Sequence, residues 1–230
     1  MHVDEALRSR ASIRAFSPAR VSRTDIEHIL DVARRAPSGN NTQPWRVYVV
    51  SGRARVRLCN AVLAAREGRP WPEREYRSRP RPLPEPYRSR SRRNGIALYQ
   101  LLGIEKGDED GHHRQQRRNY LFFDAPVGLF FFIDRTLEWG SWLDYGMFVQ
   151  SVMLAARGRG LHTCPQGAWA NFHPVVREHV GASEDELLVM GMALGYADDT
   201  AGVNALAVER EAVGTFATWL MDEDEGGECE

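Results

Sequence analysis

The sequence predicts an α+β fold in a single domain, and three observations carry the prediction. Segments with apolar residues on a helical period alternate with short runs rich in β-branched and aromatic residues. One of those runs, V-G-L-F-F-F-I at 127 to 133, is apolar throughout, as a strand covered on both faces is. No internal repeat and no linker splits the 230 residues into two globular halves, and a chain of that length buries a sizeable core.

Composition narrows the class. Hydrophobic residues at 43% and charged residues at 27% describe an ordinary soluble globular chain. A net charge of -1 argues against a polyanion binder. Lys106 is the only lysine, so the basic side chains are nearly all arginine, a compositional bias before it is a functional signal. Cys59, Cys164 and Cys229 are odd in number and lack C-x-x-C spacing, which speaks against a disulfide framework or zinc site and for a reducing compartment. No leading apolar run and no apolar stretch of spanning length is present, so neither signal peptide nor membrane span is expected, and the expected location is cytoplasmic.

In chain order, residues 3 to 9 read as a short helix. Ser22 and Asp25 resemble a capping box, and Ile26, Ile29, Leu30 and Ala33 share one face, giving an amphipathic helix over 23 to 36 that stops before Pro37. R-V-Y-V-V-S at 46 to 51 suits a strand, and Val56, Cys59, Val62 and Leu63 place a helix over 53 to 66. Helices are expected to start at Ile96 and to run from 111 to 120. In the latter, His112 and His113 fall on different faces with no matched carboxylate, which suits exposed polar residues and no metal. Ser141 is expected to cap a long helix ending at Gly158, with Asp144 favouring its N-terminus. That helix is apolar around most of its girth, which makes it central and its Met147 and Phe148 core. Residues 163 to 167 read as irregular, 173 to 180 as a short helix, 187 to 196 as a buried strand, and 205 to 221 as an extension whose Trp219 and Leu220 are free to dock elsewhere.

Residues 69 to 93 break the pattern with six prolines, nine arginines and three glutamates. So few aliphatics cannot build a core. The plainest reading is a solvated Pro/Arg-rich insertion. Another is a lid, since Trp71, Tyr76 and Tyr87 could stack on an aromatic substrate. A third is nucleic-acid binding by arginines interleaved with aromatics, ranked below the others because the acidic tail at 222 to 230 balances the charge.

Two stretches carry the candidate chemistry. In S-R-A-S-I-R-A-F at 9 to 16, Arg10, Ser12 and Arg14 alternate, so an extended chain turns all three to one side, two guanidiniums flanking a hydroxyl. In A-P-S-G-N-N-T-Q-P-W at 36 to 45, residues Pro37, Ser38, Gly39, Asn40 and Asn41 end a helix and expose main chain, with Gly and Asn tolerant of left-handed conformations. An anion clamp and an open loop together suit a nucleotide-like cofactor with a phosphate at one end and a ring at the other.

With G-L-H-T-C-P-Q-G at 160 to 167, these stretches resemble, in order, the motifs of the FMN-dependent nitroreductase family, over about residues 4 to 220. The resemblance implies an α-β-α sandwich with a mixed central sheet around a long central helix, in an intertwined homodimer with FMN at the subunit interface. It implies that Arg10 and Ser12 hold the FMN phosphate and that Arg14 contacts the ring. Arg210 in V-E-R-E matches the family's C-terminal phosphate arginine, whereas Val208 stands where some members carry a second cation. Residues Pro37 to Asn41 would cross to the partner's flavin, fixed by Gln43, Pro44 and Trp45. The main chain of Thr163, Cys164, Pro165, Gln166 and Gly167 would lie against the ring near N5. Cys164 lacks a His–carboxylate arrangement to activate it and reads as a packed thiol.

The implied activity is NAD(P)H-dependent reduction of nitroaromatic, quinone or similar flat acceptors by a ping-pong mechanism. No G-x-G-x-x-G follows a strand, so the nicotinamide would stack on the flavin directly. The resemblance also favours the lid reading of 69 to 93. Reductive dehalogenation, a biosynthetic dehydrogenation or oxidation, and a non-enzymatic flavin- or nucleic-acid-binding module are the alternatives. The expected partners are a second copy of the chain and a small aromatic substrate, with no nucleic acid and no membrane.

Overall fold

Four strands, β1 (Arg46–Ser51), β2 (Val127–Asp134), β3 (His162–Gln166) and β4 (Glu186–Gly195), pair antiparallel in the order β1-β2-β4-β3. The parallel component of the expected mixed sheet is a single bridge, Ser12 to Thr163. The computed structural model describes residues 1–68 and 73–220. Within them lie seven α-helices: α1 (Val3–Ser9), α2 (Arg23–Ala33), α3 (Gly52–Glu67), α4 (Tyr87–Leu101), α5 (Glu109–Asn119), α6 (Trp139–Gly158) and α7 (His173–Val180).

Both faces of the sheet are covered, which is why β2 is apolar without alternation. Leu129, Phe131 and Ile133 point to a core shared with Ile29 of α2 and Phe148 and Val152 of α6. Phe130 and Phe132 point the other way, to Leu58 and Val62 of α3 and Val176 of α7. Opposite Phe131 and Phe132, β4 carries an extra residue, Val189, between Met190 and Leu188. Val189 and Met190 therefore both face the α2–α6 side, and the alternation of β4 reverses there.

Gly128 and Gly191 make a trench in the α3–α7 face, filled by Phe122 and Trp169, which stack at 4.5 Å. A Cβ at Gly128 would collide with the Phe122 ring, and one at Gly191 with the Trp169 indole. Overpacking of this kind costs roughly 1–3 kcal/mol. Gly191→Ala is therefore expected to lower the thermal midpoint by several degrees, at roughly 2–4 °C per kcal/mol for a chain this size. An unchanged midpoint in a melting curve would contradict this packing.

Several local expectations change. Residues 163 to 167, read as irregular, belong largely to β3, an edge strand, where Pro165 costs no interior ladder bond. Helix α4 begins at Tyr87 because Glu85 accepts hydrogen bonds from Ser89 N–H and Oγ–H and pairs with Arg88 at 2.7 Å, a local start that apolar spacing does not reveal. Helix α6 begins at Trp139, after Glu138; Ser141 lies inside it and its N–H bonds the Glu138 carbonyl. Phe148 is core, but Met147 is 41% exposed. Helix α2 stops at Ala33, and 34 to 36 follow as turns.

The first described part of the Pro/Arg-rich segment is anchored rather than loose. Glu75 pairs with Arg135 at 2.8 Å, Arg177 at 2.7 Å and His173 at 3.2 Å. Tyr76 rests on Trp142 at 4.9 Å and its hydroxyl donates to the Val189 carbonyl, so it is part of the α6 packing and not free to stack on a substrate. Tyr87 is exposed, whereas Trp71, the tail from 222 to 230 and Cys229 lie outside the described residues.

Candidate active site

The N-terminal arginines are placed by an extended stretch that docks against the edge of the sheet. Helix α1 ends at Ser9, Arg10 follows with an extended backbone, and the Ile13 N–H then donates to the Thr163 carbonyl at 3.1 Å. The Phe16 N–H donates to the Phe123 carbonyl, and the Ser17 N–H to the Tyr196 carbonyl. Ile13, Ala15 and Phe16 are buried, while Arg10, Ser12 and Arg14 remain half-buried along a cleft.

That cleft has a volume of about 1040 Å³. Arg10, Ser12 and Arg14 form one wall, Gln150 and Met153 of α6 another, and the segment from Leu206 to Arg210 a third. Neighbouring arginines have carboxylate partners: Arg8 with Asp4, and Arg90 and Arg93 with Glu211. Among the described residues Arg10, Arg14 and Arg210 have none. Arg14 Nη1 donates to the Ser12 carbonyl at 3.2 Å, and Arg210 Nη1 donates to the carbonyls of Val208 and Glu209, both at 3.0 Å. Three guanidiniums without counter-charge in one concave site fit a phosphate-bearing anion. Thr163, 1% exposed beneath this wall, has a hydroxyl oxygen with no hydrogen-bond partner among the described residues.

The 37–41 loop is not among the residues lining this cleft; it sits against the first half of α6. The Gly39 N–H donates to Asp144 at 3.0 Å, so Asp144 serves a loop distant in sequence, where it was expected to favour its own helix N-terminus. Ser38 Oγ accepts the Gln43 N–H at 3.1 Å, and Trp45 stacks on Phe148 at 4.7 Å. The left-handed residues are Asn40, Asn41 and Gln43, with φ of 49°, 59° and 49°. Asn tolerates that region through local hydrogen bonding, and Gly39 does not need to occupy it.

In the third motif the side chains face inward. Gln166 Nε2 donates to the Asn119 carbonyl at 2.7 Å, and its Oε1 accepts the Trp169 indole N–H at 3.3 Å. Pro165 and Gly167 offer a ligand only main chain and small surface. Cys164 is buried, and burial pushes its thiol up to about 11, against the opposing pull of Arg14 and Arg10. It is protonated at neutral pH and expected to resist iodoacetamide in the folded protein, reacting only once denatured; mass spectrometry of native and unfolded samples checks this.

His162 lies beside Arg157, whose Nη1 is 2.9 Å from His162 Nε2. A guanidinium only donates, so this ring nitrogen accepts and the imidazole is neutral. Burial, then the Arg157 charge, lower its pKa from 6.5. Between the lowered value and 6.5 the unfolded chain binds more protons, so stability rises with pH across that window and falls on acidification. Melting curves of His162→Asn should show a shallower rise there than the unsubstituted chain; parallel curves would contradict it.

Asn204 is the residue that sequence reasoning missed. Its Oδ1 accepts the N–H groups of Arg14 at 2.8 Å and Ala15 at 3.2 Å. Its Nδ2 donates to the carbonyls of Ala15 at 2.8 Å and Asp198 at 2.9 Å. Nothing local in G-V-N-A signals this, because Arg14 and Ala15 lie far away in sequence.

The family model described as the Nitroreductase family matches residues 7–196. The chain belongs to the nitroreductase family. It is 42% identical over 223 residues to a chloronitrobenzene nitroreductase of Comamonas testosteroni, covering 96% of this chain and 97% of the relative. It is also 42% identical over 224 residues to a nitrobenzene nitroreductase of Ectopseudomonas oleovorans, again over 96% and 97%. Among solved structures it is similar to the FMN-dependent nitroreductase NfnB from Mycobacterium smegmatis in complex with NADPH, with a TM-score of 0.91, 31% identity, and coverage of 95% and 97%. The nitroreductase fold is therefore the fold of this chain. Asn204 and Arg210 stand beyond the matched residues; Arg210 rests on its place in the cleft and Asn204 on its hydrogen bonds. No helix among the described residues is long and apolar enough to cross a membrane.

Proposed function

We propose that this nitroreductase reduces nitroaromatic compounds with NADPH, using FMN held in the Arg10–Ser12–Arg14 cleft of a homodimer. The single observation that carries the reading is the set of guanidiniums in that cleft with no carboxylate partner among the described residues. Bound there, FMN would supply the hydride and electron transfer between the nicotinamide and the nitro group that the chain does not itself provide. Arg10, Ser12 and Arg210 would hold the phosphate by charge-assisted hydrogen bonds. Arg14 is assigned to the pyrimidine end of the ring, where a fixed cation favours negative charge. The main chain from Thr163 to Gly167 would lie beside the ring, and the loop from Pro37 to Asn41 would serve the partner's flavin.

A dimer explains an otherwise exposed apolar stripe. Trp139, Leu143 and Met147 recur at i, i+4 and i+8 on α6 and are 82%, 74% and 41% exposed. The second half of the same helix supplies Gln150 and Met153 to the cleft, so pairing along α6 brings two clefts close to the interface. The assigned location is cytoplasmic, where NADPH is available.

Purified protein supplied with FMN should oxidise NADPH faster when a nitroaromatic such as nitrobenzene is added than with oxygen as the sole acceptor. NADPH oxidation that no nitroaromatic accelerates would refute the assignment.

A further inference from the structure

We infer that Asn204 is a positioning residue that holds the two arginine walls of the cofactor cleft at a fixed separation. The inference rests on the FMN reading of that cleft. Its starting point is that one half-buried amide makes four hydrogen bonds, all to main chain, and so uses its full donor and acceptor capacity. Three of the four go to Arg14 and Ala15; the fourth goes to Asp198. The Asp198 N–H in turn donates to the Ala15 carbonyl at 3.0 Å, so two donors converge on one oxygen.

The position of the amide gives these bonds their consequence. Asn204 does not itself line the cleft. It lies in a 3-10 turn, Gly202–Ala205, and the chain leaving that turn becomes the third wall, Leu206 to Arg210. Arg14 is therefore tied at its backbone to the root of the segment that carries Arg210. Among the described residues, Arg210 itself is held only by local bonds to Val208 and Glu209. Loss of the amide removes the direct tie between the 202–210 segment and the Arg14 wall, leaving the segment held at its far end by the Glu211 pairs with Arg90 and Arg93, and a bidentate clamp loses strength steeply when its two sides drift. Unpaired N–H groups at Arg14 and Ala15 would then seek water, displacing the same wall.

The test is the affinity of apoprotein for FMN, read by quenching of FMN fluorescence, for Asn204→Ala alone and added to Arg14→Ala/Arg210→Ala. Asn204→Ala should weaken FMN binding about tenfold in the unsubstituted chain, the order of loss expected for a neutral hydrogen bond to main chain. In the Arg14→Ala/Arg210→Ala background it should add less than twofold, because the groups it positions are gone. Asn204→Ser, whose hydroxyl both donates and accepts, carries the same comparison if the alanine variant does not fold, with a smaller loss in the unsubstituted chain and none in the double variant. Equal weakening in both backgrounds, or unchanged FMN affinity in the single variant, would overturn the inference. Failure of the FMN reading is seen separately, as an unsubstituted chain that does not quench FMN or an Arg14→Ala/Arg210→Ala variant that quenches it equally well.

Discussion

Arg10→Ala is expected to weaken FMN retention by roughly 10- to 100-fold, the value of losing one or two charge-assisted hydrogen bonds from a phosphate. The reason is the absence of redundancy. Val208 in the third wall carries no charge, and in the proposed site Arg210 is the one cation of that wall assigned to the phosphate. Arg10 has no carboxylate partner among the described residues, so removing it leaves no orphaned acid, and its effect on folding should be small. The control is Arg79→Ala, which lies along a different cleft beside Arg74 and Asn171 and should leave FMN affinity unchanged. Equilibrium dialysis of both variants against FMN decides the matter; equal retention would remove Arg10 from the site.

A carboxylate placed in the middle of the α6 stripe should have a still larger effect. Leu143→Glu puts an unpaired charge where two copies of α6 are proposed to meet, and burying such a charge costs several kcal/mol. The dimer dissociation constant is expected to rise on the order of 100-fold from that cost. FMN and activity should be lost with the dimer, because the loop from Pro37 to Asn41 is absent from the lining of its own chain's cleft. The residue is 74% exposed in the single chain, so the isolated fold should survive, with far-ultraviolet circular dichroism unchanged. A Leu143→Glu protein that sediments as a dimer and keeps its flavin would contradict the proposed interface.

Local signals carried well where local physics decides. Val3–Ser9, Arg46–Ser51 and His173–Val180 fall at the bounds their apolar spacing and flanking residues indicate. The Ser22 cap is present as expected, its hydroxyl accepting the Asp25 N–H at 3.0 Å and donating to the Asp25 carboxylate at 2.7 Å. The alternation of Arg10, Ser12 and Arg14 also survives, since an extended chain fixes it by geometry. What was illegible depends on distant partners. β3 is short, polar and contains a proline, and only pairing with β4 makes it a strand. Tyr76 looks like a substrate-stacking residue until Trp142 and the Val189 carbonyl claim it. Asp144 and Asn204 act on residues 105 and 190 positions away, and neither leaves a trace in its own neighbourhood.

The two halves of the account meet in one experiment, sedimentation velocity of FMN-loaded protein read at the flavin absorption band. Anion clamp and apolar stripe together predict a single yellow boundary at twice the chain mass, carrying one FMN per chain. Flavin that stays at the meniscus, or that travels with a species of single-chain mass, would contradict the claim that guanidiniums near the amino terminus hold FMN against a second copy of the chain.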